Sequence, residues 1–312
     1  MTIPLGFMEL KNGIWKKDFL FTFDVLVMVE EDIELIFVDK NETIHAYNPN
    51  INAEIMGWPV LIGEESISEP IIVDLDNNSD LEVVVTTLDG KVHIYHHDGL
   101  AYTNFPFSTE DSILTTPSVG DLDNDGDLDL YVVSGGVECQ QGDKILQDRI
   151  YLNDGSGNYS RGFSGLLPKM HDSGGIVSAA DIDKDGRLEL FIGGRVVPGS
   201  YPQSPRSYML KNIGPKYVDV TDAIAPGLKQ KGMVTSAIFS DVDGDNWTDL
   251  LISYEWGPIR FFRNNSGKLV EETEKVGLGQ KLGWFNSISG GDIDNDGAVS
   301  YTHLTLPTNR EV

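Results

Sequence analysis

The chain has 312 residues, enough to bury a large core as one repeat-built domain or as two ordinary domains. Its 49 Asp and Glu outnumber its 23 Lys and Arg, and the formal net charge of −26 disfavours nucleic acid and anionic lipid as partners. Cys139 is the only cysteine, so an internal disulfide and a multi-cysteine zinc cluster are excluded.

The first predicted element is a buried strand within Phe19–Val29, a stretch interrupted by Asp24 and too short to span a bilayer. No secretory leader opens the chain, so export would require a leader upstream, and we expect both ends to be cuts through a longer protein. The segment DIELIFVDKNETIHAYN from Asp32 then matches DLEVVVTTLDGKVHIYH from Asp80. It predicts a degenerate unit without a metal loop, because Leu26 stands where that loop would begin.

A nine-residue pattern, Asp-x-Asp-x-Asp-Gly-x-x-Asp, recurs along the rest of the chain. Successive copies begin 47, 60, 60 and 51 residues apart. The copies are DLDNNSDLE from Asp74, DLDNDGDLD from Asp121, DIDKDGRLE from Asp181, DVDGDNWTD from Asp241 and DIDNDGAVS from Asp292.

Each of the first four copies is followed by a short apolar run and then by an alternating segment, which predicts two strands, the first buried on both faces. About four short strands in ~50 residues is the size of one propeller blade. The apolar runs are LEVVV from Leu81, LDLYVV from Leu128, LELFI from Leu188 and DLLIS from Asp249, and the alternating segments are Lys91–His97, Arg149–Asn153, Ser207–Asn212 and Ile259–Asn264.

The predicted fold class is therefore all-β, a β-propeller of four-stranded blades with strand–loop–strand metal motifs. A seven-bladed ring needs roughly 380 residues, so we expect an incomplete ring of about five to six of seven blades. The tail is expected to be foreign, resembling translated cloning or adapter sequence, because Ser300 and YTHLTLPTNREV follow where an acid and a buried strand are required. The predicted divisions are a lead-in (1–19), blades at 20–298 (20–65 degenerate, 66–112, 113–170, 171–230, 231–283 and 284–298 partial) and the tail (299–312).

The nine-residue loop has the ligand chemistry of a calcium site, because calcium takes six to eight oxygens in flexible geometry. Positions one, three, five and nine supply side chains, and the freely varying position seven supplies its carbonyl. Position six requires positive φ, which suits glycine and asparagine. The predicted metal residues are Asp74, Asp76, Asn78, Asp80 and Glu82; Asp121, Asp123, Asp125, Asp127 and Asp129; Asp181, Asp183, Asp185, Arg187 and Glu189; Asp241, Asp243, Asp245, Trp247 and Asp249; and Asp292, Asp294 and Asp296.

Two loops depart from the pattern. Asn78 and Ser79 replace the preferred residues, so the Asp74 loop is predicted to bind most weakly of the first four, and the Asp292 loop lacks its ninth acid and is expected to be empty. Acidic turns without a metal are the alternative interpretation, strongest at Asp292. EF-hand and dockerin readings are disfavoured, because position twelve is a core strand residue: Val85, Val132, Ile192 and Ile252.

The segments GGDIDNDG, SDVDGDNWTDLLI and AADIDKDGRLELFIGG resemble the FG-GAP or VCBS repeats of integrin α-subunit propellers and their bacterial relatives, over roughly Asp32–Gly297. YLNDGSGNY, GGRVVPGSYPQSPRSYMLKN, APGLKQKGMV and EWGPIRFFRN look like the cartilage-acidic-protein-like branch of secreted bacterial proteins. The resemblance implies calcium loops on one face and partner binding on the other, with a secreted, periplasmic or cell-surface location. The partner face would hold Ser134–Asp148, Gly193–Arg206 and Ser253–Pro258.

These connections contain side chains of the types that anchor interfaces: Arg195, Tyr201, Arg206, Glu255 and Trp256. The alternative interpretation is that prolines stiffen the connection and the aromatic rings pack inside. We expect an extracellular adhesion module that binds a protein or a glycan, with Ca²⁺ in a structural role.

Catalysis is not expected, because no nucleophile elbow, phosphate loop or dinucleotide fingerprint is present. His93, His96 and His97 are interpreted as solvated strand residues rather than a transition-metal site. The alternative function is a calcium-dependent polysaccharide lyase or hydrolase, which would need a basic cluster that sequence does not locate.

Overall fold

The structure is a computed structural model that describes residues 9–11, 14–16, 23–29, 32–66, 68–76, 78–109, 112–113, 115–291 and 300–304. It divides into two compact units. The first takes its residues from 2–117 and 153–160, and the second takes its residues from 118–152 and 161–312.

The first unit consists of antiparallel sheets. A two-stranded sheet is formed by β1 (Glu9–Lys11) and β2 (Ile14–Lys16). The second sheet is formed by β3 (Phe23–Val29), β4 (Asp32–Val38), β5 (Thr43–Asn48), β6 (Ala53–Glu54) and β7 (Val60–Leu61), with order β3-β4-β5-β6 and with β7 also on β5. The third is formed by β8 (Ile71–Val73), β9 (Glu82–Thr86), β10 (Lys91–Tyr95) and β11 (Phe107–Ser108), paired in chain order.

The second unit contains three four-stranded antiparallel sheets, each with its strands in sequential order. One hairpin tip, residues 153–160, groups with the first unit. The sheets are β12 (Ser118–Gly120), β13 (Asp129–Val132), β14 (Arg149–Asn153) and β15 (Tyr159–Arg161); β16 (Ser173–Ala180), β17 (Glu189–Val196), β18 (Tyr208–Asn212) and β19 (Tyr217–Asp219); and β20 (Val234–Ser240), β21 (Asp249–Tyr254), β23 (Arg260–Asn264) and β24 (Leu269–Glu271).

Two further pairs complete the described strands: β22 (Gly257–Pro258) with β25 (Leu282–Gly283), and β26 (Ser287–Gly291) with β27 (Ser300–Leu304). Part of the predicted tail thus forms a strand, and its foreign origin stays a prediction. The described helical segments are a 3-10 turn at Lys144–Leu146 and α1 (Thr221–Ile224). Among the described residues, no helix has the length and apolarity needed to cross a membrane.

The second strand of each four-stranded sheet is the core strand. Every residue of β9, β13 and β21 is buried, as their continuous apolar sequences predict. In the second unit, side chains from successive sheets pack into shared apolar clusters, as Tyr131 of β13 does with Leu190 of β17. The all-β class and the four-stranded antiparallel sheets are therefore confirmed.

Two core strands are longer than their apolar runs predict. β17 continues to Val196, which pairs with Ser173, and β21 continues to Tyr254, which pairs with Val234. The predicted connections Gly193–Arg206 and Ser253–Pro258 therefore begin inside strands.

Candidate functional site

Four of the five predicted loops lie within the described residues, except for residue 77 of the first loop, and each joins the first and second strands of a four-stranded sheet. They connect β8 to β9, β12 to β13, β16 to β17 and β20 to β21. The fifth, with Asp292, Asp294 and Asp296, lies outside the described residues. No described loop is flanked by helices, in agreement with the rejection of an EF-hand.

Each loop is closed by its own aspartates. In the second loop, Asp121 Oδ1 accepts from the Asp125 N–H at 3.1 Å and its Oδ2 accepts from the Gly126 N–H at 3.1 Å. The Asp125 side chain then accepts from the Asp127 N–H at 3.0 Å. Position six has positive φ in all four described loops, as its turn requires: Ser79, Gly126, Gly186 and Asn246.

Positions one, three and nine bring carboxylates together. One ligand oxygen from each of the three lies within 4.8 Å of the others in every described loop. The ninth acid is fully buried at the start of the core strand. The groups are Asp74, Asp76 and Glu82; Asp121, Asp123 and Asp129; Asp181, Asp183 and Glu189; and Asp241, Asp243 and Asp249.

The remaining predicted positions lie outside these groups. At position five, Asn78 and Asp245, like Asp125, accept the N–H of position seven. The side chains at position seven make other contacts: Arg187 pairs with Asp185 at 2.8 Å, and the Trp247 ring lies under a lysine.

The donor set fits a hard divalent cation. Asp123 Oδ1, Asp183 Oδ1 and Glu189 Oε1 are buried and accept no hydrogen bond. Burial raises the pKa of Glu189 to about 7, and Asp183 adds to the rise. Burial likewise raises the pKa of Asp249 to about 6. A calcium ion would satisfy such oxygens and favour their ionised form, because it prefers oxygen ligands in flexible number.

One residue of the third strand lies over each loop. This residue falls outside the nine-residue pattern. The strand registers place Tyr95, Tyr151, Leu210 and Phe262 at equivalent positions against the second strand. The next residue along each third strand is His96, Leu152, Lys211 and Arg263, respectively.

In the Asp181 loop this residue contributes a positive charge. The Lys211 Nζ hydrogen-bonds to Asp183, lies 3.1 Å from Asp185 Oδ2 and lies 3.6 Å from Glu189 Oε1. Leu152, at the same place over the Asp121 loop, has no charge. The Asp121 and Asp181 loops thus have the same arrangement of three carboxylates, but only the Asp181 loop has a positively charged side chain over it.

The other two loops also have a basic residue at this place. Arg263 pairs with Asp243 and lies 3.4 Å from Asp245 Oδ2. His96 Nδ1 lies 3.2 Å from Glu82 Oε1. The Asp121 loop is therefore distinct among the four described loops.

Neighbouring loops of the second unit are tied together. Asn212 Nδ2 donates to the Leu122 carbonyl of the preceding loop at 3.0 Å, and Asn264 Nδ2 donates to the Ile182 carbonyl at 2.8 Å. Both asparagines are buried at the end of a third strand. The loops are consequently part of the packing between sheets.

Four of the five predicted partner residues meet in one network. The buried Glu255 pairs with Arg195, and its Oε1 accepts from Tyr201 Oη at 2.9 Å. Trp256 Nε1 donates to Tyr201 Oη at 3.3 Å, and the Trp256 ring lies 4.8 Å from that of Trp284.

This network presents an aromatic surface. Tyr201 is 58% exposed and Trp256 is 53% exposed, so the interpretation that these rings pack inside is wrong. Arg206, the fifth predicted residue, does not belong to this network. It hydrogen-bonds to Asp219, and its guanidinium carbon lies 4.6 Å from the centroid of the Tyr208 ring. Trp284 was not predicted, because it lies on a different connection.

One histidine assignment is wrong. His93 is buried rather than solvated, because β10 is covered on both faces. Its Nδ1 lies 3.3 Å from Tyr95 Oη, and burial lowers its pKa. His97 is exposed and His96 is half-buried.

Comparison with known proteins agrees with this geometry. Residues 74–132 and 241–299 match the FG-GAP-like repeat, so the chain carries repeats of this type at those two positions. No curated protein matches the chain significantly.

Two solved structures show a similar fold. The Vibrio cholerae biofilm matrix protein Bap1 is 16% identical with a TM-score of 0.51, over 81% of this chain and 39% of that one. The computationally designed Ika8 protein is 12% identical with a TM-score of 0.51, over 91% of this chain and 70% of that one. This chain thus spans about two fifths of the length of the Bap1 chain.

Proposed function

We propose that this chain is an extracellular adhesion or matrix module whose FG-GAP-like repeats bind Ca²⁺ for structural purposes. The observation that carries the proposal is the same three-carboxylate group in four sheets; in the Asp121 and Asp181 groups it includes buried oxygens that accept no hydrogen bond. An ion at positions one, three and nine would join the loop to the start of the core strand, and it would neutralise acids that otherwise repel one another.

The affinity expected of such sites supports the proposed extracellular setting. Calcium sites of extracellular modules bind at about 10⁻⁴ to 10⁻³ M, which matches calcium concentrations outside cells. The FG-GAP-like repeats, and the biofilm matrix role named for Bap1, support the same setting.

The partner surface that we propose is the network around Glu255, with Tyr201, Trp256 and Trp284 as exposed contacts. It lies where β17 and β21 end, at the opposite end of those strands from the metal loops. Rigid aromatic side chains with polar edges are common anchors for protein and glycan partners. We further propose that the chain binds its partner without catalysing a reaction. To test this against the lyase alternative, the chain is incubated with polygalacturonate; absorbance at 232 nm, which rises when a lyase forms an unsaturated product, should stay constant.

Calorimetric unfolding of the whole chain tests the calcium role. Addition of 1 mM Ca²⁺ after chelation is expected to raise Tm. Each site with a Kd of about 10⁻⁴ M would add about 1.4 kcal/mol to the free energy of unfolding. Asp123→Asn should reduce the rise, whereas Asp222→Asn, an exposed acid outside the loops, should not. An unchanged wild-type Tm would contradict the proposal.

A further inference from the structure

The second unit contains a basic cleft, although the chain as a whole has a net charge of −26. The cleft has a volume of about 670 Å³ and lies between the 3-10 turn at Lys144–Leu146 and the segment 161–171. Arg149 pairs with Val132 at the far end of β13 from the Asp121 loop, so the cleft lies at the end of the sheet opposite that loop. Its charged lining residues are Lys144, Asp148, Arg149, Arg161, Lys169 and His171.

The positive charge of this cleft is only partly offset within the chain. Lys144, Arg161 and Lys169 are exposed, and none of the three forms an ion pair with a described residue. Several other cations are ion-paired, among them Lys211 and Arg263. Three unneutralised cations around one cleft favour an anionic ligand.

The acids in and next to the cleft accept hydrogen bonds from other groups of the chain. Asp148 is buried, and it accepts from the Ser134 N–H at 2.7 Å and from Tyr131 Oη at 2.8 Å. Burial raises the pKa of Asp148 to about 7, so its charge offsets the cations incompletely near neutral pH. Asp143 accepts from the Ile145 N–H at 3.2 Å. Asp172, next to His171, accepts from the hydroxyl of Tyr208.

The shape and lining of the cleft narrow the class of ligand. Its volume lies within the ~300–1,000 Å³ typical of small-molecule sites and exceeds what a simple inorganic anion fills. Phe163 lines the cleft and is 58% exposed, so a flat apolar face stands beside the cations. A pyranose ring can pack its C–H face against an aromatic ring while its acidic substituent contacts lysine and arginine.

The net charge of the chain disfavours long nucleic acids. A nucleic acid carries one phosphate per nucleotide, and a molecule of net charge −26 repels it at long range. A single acidic sugar residue combines one localised charge with apolar C–H faces and hydroxyl groups. The local positive charge and the exposed ring suit that combination.

We propose that this cleft binds an acidic sugar residue of an oligosaccharide, with its carboxylate or sulfate among Lys144, Arg161 and Lys169 and its ring against Phe163. The cleft is a second binding site, in addition to the proposed partner surface. It uses neither the metal loops nor the Glu255 network.

Isothermal titration of the whole chain in 1 mM Ca²⁺ tests the proposal. Tetragalacturonate provides carboxylates, a heparin tetrasaccharide provides sulfates, and fully methyl-esterified tetragalacturonate is the neutral control. Saturable binding of at least one acidic probe, with none of the neutral one, is expected. The stronger acidic probe identifies the type of charge.

Variants locate the binding. The double variant Lys144→Gln/Lys169→Gln is expected to weaken binding at least tenfold, and Phe163→Ala about threefold or more. Lys216→Gln/Lys281→Gln removes the same charge from exposed lysines outside the cleft and should change affinity less than twofold. Unfolding curves that match the wild type would exclude a folding defect.

Several results would overturn the inference: no binding of either acidic probe, equal loss in both double variants, or equal binding of tetraglutamate or a four-nucleotide oligothymidine. The calcium response of Tm, recorded on the same samples, separates the two proposals. Sugar binding without a calcium response would contradict only the calcium role, and a calcium response without sugar binding would contradict only the cleft.

Discussion

Lys211 acts on the Asp181 loop in much the way that a bound cation would. Its ammonium group contacts acids at positions three, five and nine. Burial lowers the pKa of Lys211, but hydrogen bonds to Asp183 and Asp185 outweigh burial and raise it to about 12. The lysine is therefore charged at every physiological pH, and it competes with calcium for the same oxygens.

Removal of this charge is expected to strengthen calcium binding. Lys211→Met should lower the Kd of the Asp181 loop at least fivefold, because the acids lose their internal cation. Titration calorimetry measures the change, with Lys216→Met as the control for a general loss of one charge. The reciprocal variant Leu152→Lys should weaken the Asp121 loop. Equal affinities in Lys211→Met and the wild type would contradict the competition.

At the scale of elements, the metal loops follow closely from their sequence. Ligand spacing, the strand after each loop and the positive φ at position six all depend on residues within nine positions, so a local pattern predicts them. The residue over each loop does not follow from that pattern. Its placement depends on the register between second and third strands, which is set by pairings such as Leu190 with Leu210.

The asparagine at the end of the third strand is a second element that the pattern missed. Asn212 donates to the Leu122 carbonyl and accepts from the Gly214 N–H at 2.9 Å, so it joins a hairpin to the preceding loop. It is buried, and its sequence separation from Leu122 hides the contact from local analysis.

Truncation of this asparagine should destabilise the second unit. Asn212→Ala removes a buried hydrogen bond and is expected to cost about 1–3 kcal/mol of unfolding free energy. Urea unfolding followed by tryptophan fluorescence measures the loss. Asn265→Ala, at an exposed asparagine just past β23, is the matched control and should cost less than about 0.5 kcal/mol. A similar loss in both variants would argue against the tie between sheets.

At the scale of the whole chain, composition predicts the net charge but not where the charged residues come together in the fold. The acidic excess is visible in the sequence, and about two fifths of the acids belong to the five loop copies. The basic cleft is hidden, because Lys144 and Lys169 lie 25 residues apart with a hairpin between them. The Glu255 network is likewise built from connections about 60 residues apart, which only the packing of successive sheets brings together.

The same charge distribution predicts how salt and calcium act together. In chelator, the acids of each loop repel one another, so raising NaCl from 20 to 500 mM should screen them and increase Tm. With calcium bound, much of that repulsion is already neutralised, and the same salt increase should raise Tm by less than half as much. Scanning calorimetry at each salt concentration measures both slopes, with sucrose as an uncharged control. Equal slopes with and without calcium would show that the loops are not where the repulsion lies.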